Sequence, residues 1–235
     1  MSAIAINEVT LPQVRKGPAR NIIESFIIGI VLTAISYMVG FAFGWIDTVS
    51  PLEAFAVLTS YSSTYLCVKE RRFNYVMGVI STLAYCLLFI QADLVSSAVL
   101  NGYLALSLAY GYYRWKSDAN TRPVEHVKLT MVPIYALATA AAYLVGIWIA
   151  LSLGGSFVWA DAMILVMTIF AQFLLDNKKI ETWIFWAVVN VFAIYVYFTS
   201  GLFIVGVQYI FFLANTLYGW YEWNKSMKST QALEE

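Results

Sequence analysis

All fourteen lysines and arginines of this chain fall into five clusters along its 235 residues. Arg15, Lys16 and Arg20 come first. Lys69, Arg71 and Arg72 follow, then Arg114, Lys116, Arg122 and Lys128, then Lys178 and Lys179, and finally Lys225 and Lys228. Between successive clusters the sequence runs apolar for long enough to cross a bilayer twice, at about 20 residues per crossing. The midpoints of those stretches, near Asp47, Asp93, Gly154 and Gly201, carry no basic residue. Basic loops stay on the cytoplasmic side of a membrane. The pattern therefore predicts an all-α integral membrane protein with eight transmembrane helices and both termini inside. The predicted spans are 22–45, 51–68, 73–91, 94–115, 129–152, 159–176, 181–198 and 202–223. Trp45, Trp115, Trp159 and Trp223 fall at span ends, where interfacial belts place tryptophan.

Composition agrees: 61% of residues are hydrophobic and 12% charged, against about a quarter charged in globular domains. The net charge of zero gives no basic patch for nucleic acid. The two cysteines, Cys67 and Cys86, lie in apolar runs without metal-ligand spacing and read as buried thiols. The first 21 residues are polar and the first apolar run is too long for a signal-peptide core, so no cleaved signal is expected.

Shifting the chain by 108 positions aligns 51–116 with 159–224 without a gap. Glu53 meets Asp161, Leu66 meets Leu174, and Arg71 meets Lys179. "AYGYYRW" at 109–115 meets "LYGWYEW" at 217–223, so Tyr110, Gly111, Tyr113 and Trp115 fall on Tyr218, Gly219, Tyr221 and Trp223. This register reads as a duplication. Each unit has three helices and starts on the outside, so one further helix must return the chain between them. The expected organisation is a cytoplasmic N-terminal tail (1–21) and an additional transmembrane helix (22–45), followed by a first three-helix repeat (51–116). A linker with a connecting helix (117–157), a second three-helix repeat (158–224) and a cytoplasmic C-terminal tail (225–235) complete it. Parallel repeats of this kind hold transporter substrates at their interface near the bilayer midplane.

Polar side chains in a span should face the bundle interior or a cavity. Trp186 and Asn190 stand four apart on one helix face, which Ala193 and Tyr197 continue. Gln208, Phe212, Asn215 and Gly219 form a second face at 4-3-4 spacing. Asn101 and Gln172 lie inside other spans, and "TSYSSTY" makes the second span rich in hydroxyls. Each amide alone could merely tie two helices together. A flat indole beside an amide is a better binding surface, with a face for a ring and a partner for polar edges. No lysine or arginine lies at mid-membrane, and Glu24, Glu53, Asp93, Asp161 and Asp176 sit near span ends. His126 falls in a loop. No carboxylate relay, catalytic triad, zinc motif or phosphate-binding loop is visible. A facilitator without cofactor or metal is expected, rather than an ion-coupled pump or an enzyme.

"VKERRFNYVMGVIS" (68–81), "LNGYLALSLAYGYYRW" (100–115), "DAMILVMTIFAQFLL" (161–175), "KKIETWIFWAVVNV" (178–191) and "LYGWYEW" resemble the PnuC family of vitamin transporters. The resemblance spans about 51–224, with Trp186-x-x-x-Asn190 its most telling element. It implies a SWEET-like 3+1+3 parallel repeat preceded by one extra helix, in the cytoplasmic (inner) membrane, with a homotrimer as a possible assembly. It implies import of nicotinamide riboside by facilitated diffusion, with trapping by cytosolic phosphorylation. Trp186 and Asn190 would contact the substrate, helped by Gln172, Asn101, Gln208 and Asn215. Asn101 stands where glutamine is expected, Tyr112 where tryptophan is common, and Tyr75 where the family writes tryptophan after asparagine. Tyr112 is thereby a candidate for specificity. The alternatives are the same fold carrying thiamine, riboflavin or a (deoxy)nucleoside, or a membrane receptor that moves nothing.

Overall fold

The computed structural model describes residues 17–91, 95–115, 123–152 and 158–234. Arg15, Lys16, Lys116 and Arg122 of the basic clusters lie outside the described residues, as do Asp93 and Gly154 of the uncharged turns. The described chain is helical: α1 (Pro18–Ala42), α2 (Pro51–Val68), α3 (Phe73–Gln91), α4 (Val95–Arg114), α5 (Val132–Ser152), α6 (Val158–Asp176), α7 (Thr182–Thr199) and α8 (Phe203–Glu234). Helices satisfy every backbone group within one segment, which is what a lipid environment demands. Six of them, α1, α3, α5, α6, α7 and α8, are long and apolar enough to cross a membrane. α2 and α4 carry more polar residues; on α2, Thr59 and Ser62 are buried and Ser60, Ser63 and Thr64 half-buried.

Two boundaries differ from expectation. α1 begins at Pro18 rather than near 22, because proline suits the first turn of a helix, where its missing N–H costs nothing. α8 continues through residues 225–234, where the composition predicts a tail. Its last three turns are polar but rich in helix-favouring Lys, Met, Gln, Ala, Leu and Glu.

Packing follows chain order within 51–114 and within 158–234: α2 packs on α3 and α3 on α4, then α6 on α7 and α7 on α8. The two sets meet where α2 packs on α8 and α4 on α6. α5 packs on α6 and leaves Leu137, Leu144, Trp148 and Leu151 exposed. α1 lies against α2 and α8. Its polar groups serve the hydroxyl-rich α2. Ser36 Oγ and Tyr61 Oη are 3.0 Å apart, Ser62 Oγ donates to Ser25 O at 3.1 Å, and Tyr65 Oη donates to Glu24 Oε2 at 2.8 Å.

Side chains 108 positions apart meet directly at three levels. At the end bearing the basic turns, Lys178 Nζ donates to Glu70 Oε2 at 2.7 Å, with Lys178 only 1% exposed. Both residues sit in the left-handed backbone region, with φ of 51° for Lys178 and 54° for Glu70. That conformation disfavours a side chain with a Cβ, yet it lets both turns close alike. Glu70 and Lys178 each donate their N–H to the carbonyl three residues back at 2.9 Å, and Arg71 and Lys179 to the one five back, also at 2.9 Å. Next, the Trp115 and Trp223 rings lie 6.2 Å apart. At the opposite end, Phe89 and Tyr197 stack at 6.3 Å with 6° between planes.

The tryptophans correct one expectation. Trp159 is exposed, as a belt residue would be, but Trp115 and Trp223 are buried. Each packs edge-on against the partner that opens its own segment's second helix: Tyr75 on Trp115 at 5.1 Å and Trp183 on Trp223 at 5.2 Å. The glycine of each "YGxYxW" string makes room for that partner. A Cβ at Gly111 would come within 2.2 Å of the Tyr75 ring, and one at Gly219 within 2.4 Å of the Trp183 ring.

Candidate functional site

Between the Trp115–Trp223 and Phe89–Tyr197 pairs, the two three-helix segments line a cavity of about 170 Å³. Its wall takes Ser60, Ser63, Thr64 and Cys67 from α2, Thr82 and Tyr85 from α3, and Asn101 and Leu104 from α4. From the other segment come Gln172 on α6, Trp186 and Asn190 on α7, and Gln208, Phe212 and Asn215 on α8. No lysine, arginine, aspartate or glutamate belongs to the described wall. It is apolar and aromatic with a few amides and hydroxyls, as small-molecule sites generally are.

Six of the seven residues expected from sequence therefore converge, although they come from four helices and span 115 positions from Asn101 to Asn215. Their chemistry differs. Asn190 Nδ2 donates to Thr216 Oγ1 at 2.9 Å, which fixes its orientation across α7 and α8. Gln172 Nε2 donates to Asp176 Oδ1 at 2.8 Å. Asn101 Nδ2 turns back to Ser97 O at 2.8 Å. Asn215 has no hydrogen-bond partner among the described residues and is half-buried at the wall. Trp186 is half-buried and presents its ring to the cavity one turn before Asn190.

Gln208, expected as an anchor, is engaged at both ends of its amide. It accepts a hydrogen bond from Tyr85 Oη and donates from Nε2 to Val57 O at 3.3 Å. Both ends of its amide thus tie α8 to α3 and α2, while the side chain still lines the cavity. Tyr112 does not line the cavity. The Arg72 guanidinium stacks 3.6 Å from its ring centre, and Arg72 Nε donates to its carbonyl at 2.7 Å. The side chain leaves α4 toward the basic turn, one residue past the inward-facing Gly111.

Tyr85, Thr216, Tyr209 and Asn74 also stand on the cavity wall, and none of them is singled out by the sequence. Tyrosine and threonine are too common in spans to single out. Helical spacing would have offered Thr216 beside Phe212 and Asn215, since it lies four after one and next to the other. His126, expected in a loop, sits in the segment before α5 and pairs with Glu181 at 2.9 Å; Glu125 of that segment bridges the α6–α7 turn.

The sequence model of the nicotinamide mononucleotide transporter family matches residues 50–225. The chain belongs to that family. Curated relatives include the nicotinamide riboside transporter PnuC of Escherichia coli K12, 21% identical over 218 residues, which cover 80% of this chain and 89% of that protein. The transporter of the same name from Haemophilus influenzae is 26% identical over 190 residues, 76% of this chain and 83% of that one. A crystal structure of the vitamin B3 transporter PnuC superposes with a TM-score of 0.74 at 20% identity, over 90% of this chain and 97% of the other. Family membership and the apolar helices make this a multi-pass membrane transporter.

Proposed function

We propose that this protein is a facilitator importing nicotinamide riboside across the cytoplasmic membrane. The observation that carries the reading is the uncharged cavity held between the two three-helix segments, with Trp186, Asn190 and Asn215 on its wall. Relatives named for nicotinamide riboside support this cargo. The family's name mentions the mononucleotide, but the described wall has no basic residue to neutralise a phosphate, and burying an unpaired phosphate is costly. The riboside fits better. Its pyridinium ring can lie on Trp186 with a cation–π contribution of about 0.5–2 kcal/mol, and its hydroxyls and carboxamide can meet the amides.

The proposed architecture is eight spans arranged as a 3+1+3 parallel repeat preceded by α1, with both termini cytoplasmic. The 108-residue pairing of Glu70 with Lys178 supports the repeat. The alternation of basic clusters supports the orientation. Uptake would be downhill, driven by the inside-negative potential for a cationic cargo, roughly 2.3 kcal/mol per 100 mV, and completed by phosphorylation inside the cell.

A binding panel on the purified protein tests the cargo. Nicotinamide riboside should bind, while thiamine, riboflavin, deoxynucleosides and the mononucleotide should not. Trp186→Ala should abolish binding with an unchanged melting temperature. Counterflow of labelled nicotinamide riboside in liposomes separates a transporter from a receptor, and absence of counterflow would sink the proposal.

A further inference from the structure

Asp176, the last residue of α6, is buried one turn below Gln172. Its Oδ1 accepts from two donors, Tyr75 Oη at 2.8 Å and Gln172 Nε2 at 2.8 Å. As a carboxylate Asp176 has no proton to give, and both groups at its Oδ1 must donate to it. Gln172 must therefore turn its NH2 toward Asp176. Its carbonyl Oε1 remains, with no partner among the described residues, on a side chain that is 2% exposed and lines the cavity. Gly111 is part of the same arrangement. A Cβ there would come within 2.4 Å of Asp176 Oδ1 as well as striking Tyr75. Tyr75, which stands opposite Trp183 in the 108-residue register, supplies a hydroxyl that holds Asp176.

We propose that Asp176 is a positioning residue that fixes the polarity of Gln172, so that the cavity presents a hydrogen-bond acceptor and selects a primary carboxamide over a carboxylate. The inference rests on the pyridine-nucleoside cargo proposed above. A carboxamide donates its N–H to Gln172 Oε1. A carboxylate has no proton to donate, and it would face that oxygen with Asp176 behind it. Sites built to receive a donor reject an analogue lacking it far more strongly than apolar pockets reject a change in size. Asp176 touches no ligand; it acts through the orientation of Gln172. Val68 occupies the matching position of the first segment, where no amide needs orienting.

The test compares two probes, nicotinamide riboside and the same nucleoside with a carboxylate in place of the carboxamide, by calorimetric titration of the full-length protein in detergent. The unmodified protein should prefer the carboxamide by about 100-fold or more. Asp176→Asn can offer its own NH2 to Gln172, turning the amide round, and should lower that preference about tenfold or more. Asp176→Val, copying the first segment, frees the amide to take either orientation and should lower it as well. Melting temperatures identify which variants fold, and the ratio of the two affinities is the readout, since a general loss of packing weakens both probes together. Equal binding of the two probes to the unmodified protein overturns the inference without any variant. A folded variant that keeps the full ratio overturns it while leaving the cargo intact. If the unmodified protein binds neither probe, the cargo reading falls, and this inference with it.

Discussion

Residues 51–116 and 158–224 meet each other differently at the ends of the bundle and in its middle. At the ends, matching positions touch: Glu70 and Lys178, Trp115 and Trp223, Phe89 and Tyr197. In the middle they diverge. Trp186 and Asn190 of the second segment correspond to Gly78 and Thr82 of the first, and Gln172 corresponds to Thr64. All six line one cavity. The first segment gives space and hydroxyls there, while the second gives a flat ring and oriented amides. A site with two matching halves would suit a symmetric ligand. Divergence around a shared frame lets an asymmetric one bind in a single orientation, its ring on one segment and its remaining edge on the other.

The buried ion pair offers the strongest way to break the frame. Lys178→Met removes one partner of a buried ion pair and should lower stability by about 3–5 kcal/mol, read from thermal unfolding in detergent. The double exchange Glu70→Lys with Lys178→Glu should recover most of that loss, because the two sites are matched in backbone and burial. Failure to recover would show that the frame is less even than its contacts suggest.

The glycines test the same frame one layer inward. Gly111→Ala and Gly219→Ala should each cost about 1–3 kcal/mol and by similar amounts, since each would drive a methyl into a packed aromatic ring. Melting temperatures of the two variants measured side by side give the answer. A clear inequality would place more of the packing in one segment.

The centre should respond unequally. Asn190→Ala removes an amide already aimed by Thr216 and should weaken nicotinamide riboside binding about tenfold. Thr82→Ala at the matching position should change it less than about twofold, because its hydroxyl already bonds the helix backbone at Gly78 O, 2.9 Å away. Titration calorimetry separates the two. Equal losses would argue for a site shared evenly by the segments. Asn101→Gln should have the smallest effect, roughly a twofold change in affinity, within the range of a single weakly engaged hydrogen bond. A switch of preferred cargo would show instead that position 101 tunes selection.

Much of the site is legible in the sequence. Amides and an indole in a span need an inward face, which singles out Trp186, Asn190, Gln172, Asn101 and Asn215, and all reach the cavity. Gln208 reaches it too, but polarity alone cannot distinguish an amide that meets a ligand from one that ties three helices. Tyr112 stands out by its mismatch with Trp220 in the alignment, and a mismatch carries no direction in space; the side chain lies under Arg72 instead. Trp115 and Trp223 suggest an interfacial belt by position along the chain, which does not specify which side of a helix faces lipid.

Hydropathy, charge and spacing suffice to put this protein in a membrane, to locate its turns and to reveal that two stretches share a register. A bilayer reads those properties one segment at a time, so they are written locally in the chain. Which equivalent residues touch, which amides are occupied and which way Gln172 points come from the packing of the folded bundle. These depend on contacts between side chains far apart in the chain, such as the hydroxyl of Tyr75 and the carboxylate of Asp176, whose 2.8 Å separation is set by helices packing and not by any local pattern.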